Sequence, residues 1–284
     1  MIYVGTCGYA YKDWVGPFYP PTIRNGEMLG YYAARFSAVE IDASYYGVPA
    51  ERTIASFLAR TPQRFRFSFK APQTVTHPGD YGSTRIHSDG AELRERLTSV
   101  RDAGRLAAVL LQFPGGFAPD AQTDRYLDAA LDAFDGLPLV AEFRNRAWQT
   151  PETAMRLRRR GVGFGNVDLP ALPDLPVPAG EATSPVGYVR FHGRNATNWK
   201  TGDVVTRYDY SYLPEELTPW LDRIAEIDAK ADDTYVFFNN HAVGQAAGNA
   251  VTMERLLEER YGGEAGERIA LPGDPPPVQP GLFG

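Results

Sequence analysis

The sequence predicts a single (β/α)8 barrel of the TIM type, an α/β fold with eight parallel strands. Three observations carry this. Eight short β-branched or aromatic runs recur along the 284 residues, at 2–6, 38–42, 65–70, 107–113, 139–143, 162–168, 186–192 and 234–239. Helical stretches separate most of them, at 26–36, 51–60, 89–104, 121–134, 151–160, 214–229 and 244–261. Apolar residues make up 43% of the chain, enough to fill the core of one barrel of roughly 250 residues. An open doubly wound sheet is the alternative architecture.

Taken in order, the strands carry a period-two pattern. On the second run, Val39 and Ile41 oppose Glu40 and Asp42. On the third, Phe65, Phe67 and Phe69 oppose Arg66, Ser68 and Lys70. Val140, Glu142 and Arg144 share a face on the fifth, Asn166 and Asp168 on the sixth, and Tyr188, Arg190 and His192 on the seventh. Apolar rows suit contact with the covering helices, so the polar rows are expected inside the barrel. The helix at 151–160 has readable ends. Thr150 is a cap, Pro151 starts the helix, Glu152 sits in the first turn, and Arg158, Arg159 and Arg160 precede Gly161.

Two connections depart from strand–helix alternation. Residues 169–185 hold five prolines, so one barrel helix is expected to be replaced by a loop. Residues 193–212 form a long loop with Trp199, Tyr208, Tyr210 and Tyr212, a length often tied to function. The expected organisation is one domain over residues 1–270 and a Pro-rich tail over 271–284.

Composition narrows the function classes. A net charge of −6 argues against a general nucleic-acid coat. The single cysteine, Cys7, has no intramolecular disulfide partner, which with the lack of a visible signal peptide points to a cytoplasmic protein. No apolar run approaches the roughly 20 residues of a membrane helix.

Candidate chemistry follows from the strand ends, where catalytic groups of such barrels gather. Asp42, Lys70, Gln112, Glu142, Arg144, Asp168, Arg190 and His192 all fall there. Glu142 or Asp168 is read as a general base and His192 as an acid. Lys70 is an anion contact, a Schiff-base amine, or the partner of Glu40 or Glu142 in an ion pair. Arg144 and Arg190 can hold phosphate or carboxylate in bidentate fashion. Glu40, Asp42, Gln112, Asn239 and Asn240 complete a polar set for substrate. Trp14, Tyr45 and Trp148 belong to an aromatic rim suited to sugars or bases, with Tyr9, Tyr11, Tyr46 and Trp199. A glycosidase pair of Glu40 and Glu142 would depend on their separation. Cys7, at the end of the first run, would be a nucleophile only beside a base or cation, and is otherwise a small residue next to Gly8.

No organic cofactor is implied and no metal ligands are assigned. A divalent ion held by Glu and Asp is compatible with the chain. Of its four histidines, His77, His87, His192 and His241, only the last two fall near strand ends.

These segments resemble the YecE-like family, domain of unknown function 72, over about residues 2–261. The matching motifs are Gly5-Thr6-Cys7-Gly8-Tyr9, Asp13-Trp14-Val15-Gly16, Phe18-Tyr19-Pro20, Val39-Glu40-Ile41-Asp42 with Tyr45-Tyr46, Phe65-Arg66-Phe67-Ser68-Phe69-Lys70, Leu111-Gln112-Phe113-Pro114, Glu142-Phe143-Arg144, Val189-Arg190-Phe191-His192-Gly193 and Phe237-Phe238-Asn239-Asn240. The resemblance implies a TIM-type barrel and no particular reaction. Asp42 stands where the family commonly has Asn, and Asn145 where His commonly follows the Glu-Phe-Arg triplet.

The functional expectation is an enzyme of hydrolytic or phosphoester-type acid–base chemistry, acting on a small anionic or sugar-like ligand. One alternative is a non-catalytic ligand-binding barrel. Another is a protein of nucleic-acid processing, like endonuclease IV or attached to a sliding clamp. The tail residues Gln279, Leu282 and Phe283 resemble the Gln-x-x-Leu-Phe peptide that docks on bacterial sliding clamps, with Pro280 where Leu is usual.

Overall fold

Eight parallel strands close on themselves in chain order: β1 (Ile2–Cys7), β2 (Ala38–Ile41), β3 (Arg66–Lys70), β4 (Leu106–Phe113), β5 (Leu139–Phe143), β6 (Gly163–Asp168), β7 (Val186–Phe191) and β8 (Asp233–Phe238). The structure is a computed structural model and describes residues 1–77, 79 and 85–262. Helices lie between most strands, which makes this a TIM barrel. Each strand lies within one residue of its expected bounds at either end.

The register fixes which row faces inward, because residues paired across parallel strands share a face. Val39 pairs with Phe67 and Ile41 with Phe69. All four belong to the main apolar cluster, together with helical residues such as Leu29, Tyr32, Ile54 and Phe57. Burying side chains of this size is worth about 2–3 kcal/mol each. The opposite rows fill the barrel. Near its N-terminal end Tyr3 stacks on Tyr235 with ring centroids 5.0 Å apart. Leu110, Val140, Tyr188 and Phe237 join them in a separate buried cluster. Above this apolar base sits a layer of charge.

Local sequence sets the helix ends. Thr150 caps the helix Pro151–Arg159 by accepting from the Thr153 N–H at 3.2 Å. Asp120 and Thr123 form a reciprocal cap on the helix Ala121–Asp132. The single helix expected over 89–104 is two, Ile86–Arg96 and Thr98–Asp102, because the backbone tightens at Leu97 (φ −82, ψ −4). Residues 169–185 contain no helix, as the prolines dictate. The long loop after β7 carries one helical turn, Val204–Arg207, capped by Asp203. Among the described residues, no helix is long and apolar enough to cross a membrane.

Candidate active site at the barrel mouth

Arg190 stands at the centre of the charged layer. It lies on β7, is 1% exposed, and reaches two carboxylates on opposite sides of the barrel. Its Nη1 donates to Glu142 Oε2 at 2.8 Å and its Nη2 to Glu40 Oε1 at 2.6 Å. Glu142 on β5 also takes Arg144 Nε at 2.5 Å. Room for Glu142 comes from β6, where a Cβ on Gly165 would approach the Glu142 Cβ to 2.9 Å. The inward row of β6 is Gly163, Gly165 and Val167.

His192 follows β7 and is fully buried. Its Nδ1 receives Arg144 Nη2 at 3.2 Å and Asn239 Nδ2 at 3.0 Å. Both are donors, so Nδ1 is the acceptor and the ring proton sits on Nε2, 3.3 Å from Glu142 Oε1. Burial and the charge of Arg144 push His192 well below the usual histidine range. A ring held below its ordinary range is poorly suited to the acid role expected of it. Glu142 is driven the other way from a buried acid's habit. Burial alone would raise it, but Arg190 and Arg144 hold it well below the usual carboxylate range.

Glu40 on β2 behaves differently. Tyr188 OH donates to its Oε2 at 2.6 Å. Burial raises it, Arg190 opposes, and nearby Asp42 raises it again, leaving Glu40 pushed up to about 7. One oxygen each from Glu40 and Asp42 and the Cys7 Sγ lie within 4.8 Å of one another. This trio does not fit a metal site, because Arg190 already donates to Glu40 and sits 3.9 Å from Asp42 Oδ1. A guanidinium occupies the position a cation would take. Burial and Glu40 push the Cys7 thiol well above its ordinary value, which removes it as a nucleophile.

The raised Glu40 has a consequence for stability. The folded state holds its proton up to about 7, the unfolded chain only to about 4.5. The contribution is therefore full below 4.5 and is lost as pH rises through 7. His192 and Glu142, both lowered, act in the opposite direction and lose stability as pH falls. Comparing Glu40→Gln with the parent isolates the first effect. Chemical unfolding at a series of pH values is expected to show the difference in stability between the two growing from pH 4.5 to 7; a constant difference would remove Glu40 from the titrating groups.

Over this layer opens a cavity of about 800 Å³. Asp42, Lys70, Gln112, Arg144, Asn239 and Tyr45 line it. Glu40, Glu142, Arg190 and His192 lie buried beneath its floor. Lys70 Nζ sits 4.2 Å from the centre of the Tyr45 ring. Among the described residues no carboxylate comes within ion-pairing distance of that amine. Arg144 lies under Trp199, its Cζ 5.6 Å from the ring centre.

Four expected site residues are elsewhere. Asp168 pairs in register with Phe191, so it faces the helices rather than the barrel interior. There it accepts from Arg194, from Tyr212 OH at 2.7 Å and from Trp220 Nε1 at 2.7 Å. Asn240 likewise turns outward to Tyr210 O and Asn249 Oδ1. Trp148 is packed on Phe143 and Phe117 and donates to Phe117 O. Trp14 is fully buried and donates to His241 O at 2.6 Å, which holds His241 against Tyr11. The proposed glycosidase pair fails on geometry, since Arg190 fills the space between Glu40 and Glu142. Conversely, His77, Asp174, Lys200 and Arg207 line the cavity without having been singled out. They come from loops, whose reach leaves no periodic trace.

The family model described as protein of unknown function DUF72 matches residues 3–272. The chain belongs to this family. A curated relative, the UPF0759 protein YunF of Bacillus subtilis, is 31% identical over 287 residues, covering 95% of this chain and 100% of the relative. Escherichia coli YecE is 30% identical over 141 residues, 49% of this chain and 45% of YecE. Among solved structures, a DUF72 protein of Thermotoga maritima superimposes with a TM-score of 0.84 at 35% identity, over 91% of this chain and 99% of that one. A DUF72 protein of Enterococcus faecalis gives 0.79 at 27% identity, over 91% and 96%. The DUF72 barrel expected from the motifs is thus the fold observed.

Proposed function

We propose that this DUF72 barrel binds a small anionic, polyhydroxylated ligand such as a sugar phosphate and acts on it by hydrolytic acid–base chemistry. One observation carries the reading. Two groups of opposite sign line the same cavity: Lys70, with no carboxylate at hand among the described residues, and Asp42, which Arg190 approaches only to 3.9 Å. A ligand bearing an anion and hydroxyl donors satisfies both. Lys70 and Arg144 take the anion, Asp42 and Asn239 the hydroxyls, and Tyr45 and Trp199 the flat faces of a ring.

The acid–base work falls to the Asp42–Glu40 pair. Asp42 faces the cavity, and Glu40 beneath it exchanges a proton near neutrality. Glu142 and His192 serve by fixing Arg144 in place. Lys70 is the informative variant because its amine points to the cavity and pairs with no carboxylate among the described residues. Lys70→Ala is expected to weaken binding of a pentose or hexose phosphate about tenfold or more, the scale of one charge-assisted contact. Thermal stability is expected to stay within about 0.5 kcal/mol. Calorimetric titration of both proteins reads the result, and equal affinities would sink the assignment.

The second reading, a clamp-attached role in nucleic-acid processing, rests on Gln279, Leu282 and Phe283. They lie outside the described residues, and that role is proposed from the sequence alone.

A further inference from the structure

Below the cavity, Glu40 ends a short row of hydroxyls. Tyr188 OH lies 2.6 Å from Glu40 Oε2 and 2.6 Å from Ser68 Oγ, and Ser68 Oγ lies 3.2 Å from the Ala108 carbonyl oxygen. Glu40, Ser68 and Tyr188 are buried, with no exposure, so every proton in the row must find an acceptor inside it. Counting those protons gives two complete arrangements. With Glu40 ionised, Tyr188 donates to Oε2 and Ser68 donates to Ala108 O. With Glu40 protonated on Oε2, the new O–H donates to the Tyr188 oxygen, the Tyr188 O–H swings to Ser68 Oγ, and Ser68 still donates to Ala108 O. One O–H bond forms on Glu40 and one breaks in the solvent hydronium or water that supplies the proton; the hydroxyls only reorient. Arg190 keeps its contact to Oε1 in both states.

We infer that Tyr188 and Ser68 are positioning residues for Glu40, forming a reversible hydroxyl row that lets this buried carboxyl take or lose a proton without stranding a donor. An ordinary buried carboxyl would pay for one of its two states with an orphaned group. Among the other charged and titratable neighbours, Asp42 at the end of β2 is the competing acceptor: its like charge and a hydrogen bond between the two carboxyls both favour protonated Glu40. Arg190 has only donors. Cys7 on β1 and Tyr11 beyond it are held in their protonated forms. Glu142 on β5 reaches Glu40 only through Arg190. The inference stands whatever ligand fills the cavity, because its test needs none.

The two hydroxyls are expected to act in opposite directions. Tyr188→Phe removes a donor to the ionised form and raises the proton affinity of Glu40, by roughly tenfold given the greater strength of hydrogen bonds to charge. Ser68→Ala leaves the ionised form intact but strands the Tyr188 proton once Glu40 is neutral. It lowers the affinity, by roughly tenfold for one buried unsatisfied donor. The measurement is a pH titration of side-chain carboxyl signals in 13C-glutamate-labelled protein, with Glu40→Gln identifying the relevant resonance. If Tyr188→Phe fails to fold, uniform 3-fluorotyrosine replaces it. The more acidic phenol donates more strongly, so the Glu40 midpoint is expected to fall. Midpoints that shift in the same direction for both alanine-type and phenyl variants, or an unmoved midpoint in Ser68→Ala, would overturn the row and place the proton between Glu40 and Asp42.

Discussion

Arg190→Met is expected to destabilise the protein by about 3–5 kcal/mol, the loss seen when one partner of a buried ion pair is removed. For a chain of this size the melting temperature falls by roughly 6–20 °C. The reason is that Glu40 and Glu142 have no exposure and share this one guanidinium. Without it, Glu142 keeps Arg144, but Glu40 is left in a low-dielectric interior with no guanidinium and with Asp42 nearby. Methionine fills much of the volume, so the effect reads charge rather than a cavity. Acidity should soften the loss, because Glu40 takes up a proton readily. Adding Glu40→Gln to the variant is expected to recover part of the stability at neutral pH. A melting temperature within two or three degrees of the parent would show that the carboxylates have other means of compensation.

Asp168→Ala is expected to cost a similar amount, about 3–5 kcal/mol, while leaving ligand affinity unchanged. Asp168 is fully buried and collects donors from three places outside the barrel: Arg194, Tyr212 and Trp220. Removing the carboxylate leaves the Trp220 N–H and Tyr212 O–H inside the protein without an acceptor. Urea unfolding reads the first half of the expectation and a sugar-phosphate titration the second. Lost affinity at undiminished stability would return Asp168 to the site.

The contrast between these two residues shows how far the sequence could be read. Alternation gave every strand and divided each into two rows, because side chains in a strand must alternate. It does not say which row faces in. On β2, β3, β5 and β7 polarity decided correctly: Glu40, Ser68, Glu142 and Arg190 are all inside. On β6 it decided wrongly. The inward positions there are Gly163, Gly165 and Val167, the two glycines left bare so that Val140 and Glu142 fit. The polar Asn166 and Asp168 are the outward row, satisfied by groups on distant loops and helices. Only the pairing of Val167 with Arg190 and Asp168 with Phe191 reveals this. Trp14 and Trp148 mislead for a related reason. Their rings belong to the rim by position, but the short loops bearing them fold back and bury them. The cavity walls contributed by His77, Asp174, Lys200 and Arg207 were not legible at all, since nothing periodic governs where a loop lands.

The aromatic and aliphatic plug at the barrel's base has a wider meaning. Tyr3, Tyr235, Leu110 and Val140 close the cylinder from below, so the layer above them behaves as the bottom of a well with one opening. Among the described residues, the opening over this layer is the cavity above it. A ligand seated there would cover that opening and screen the acids below from solvent.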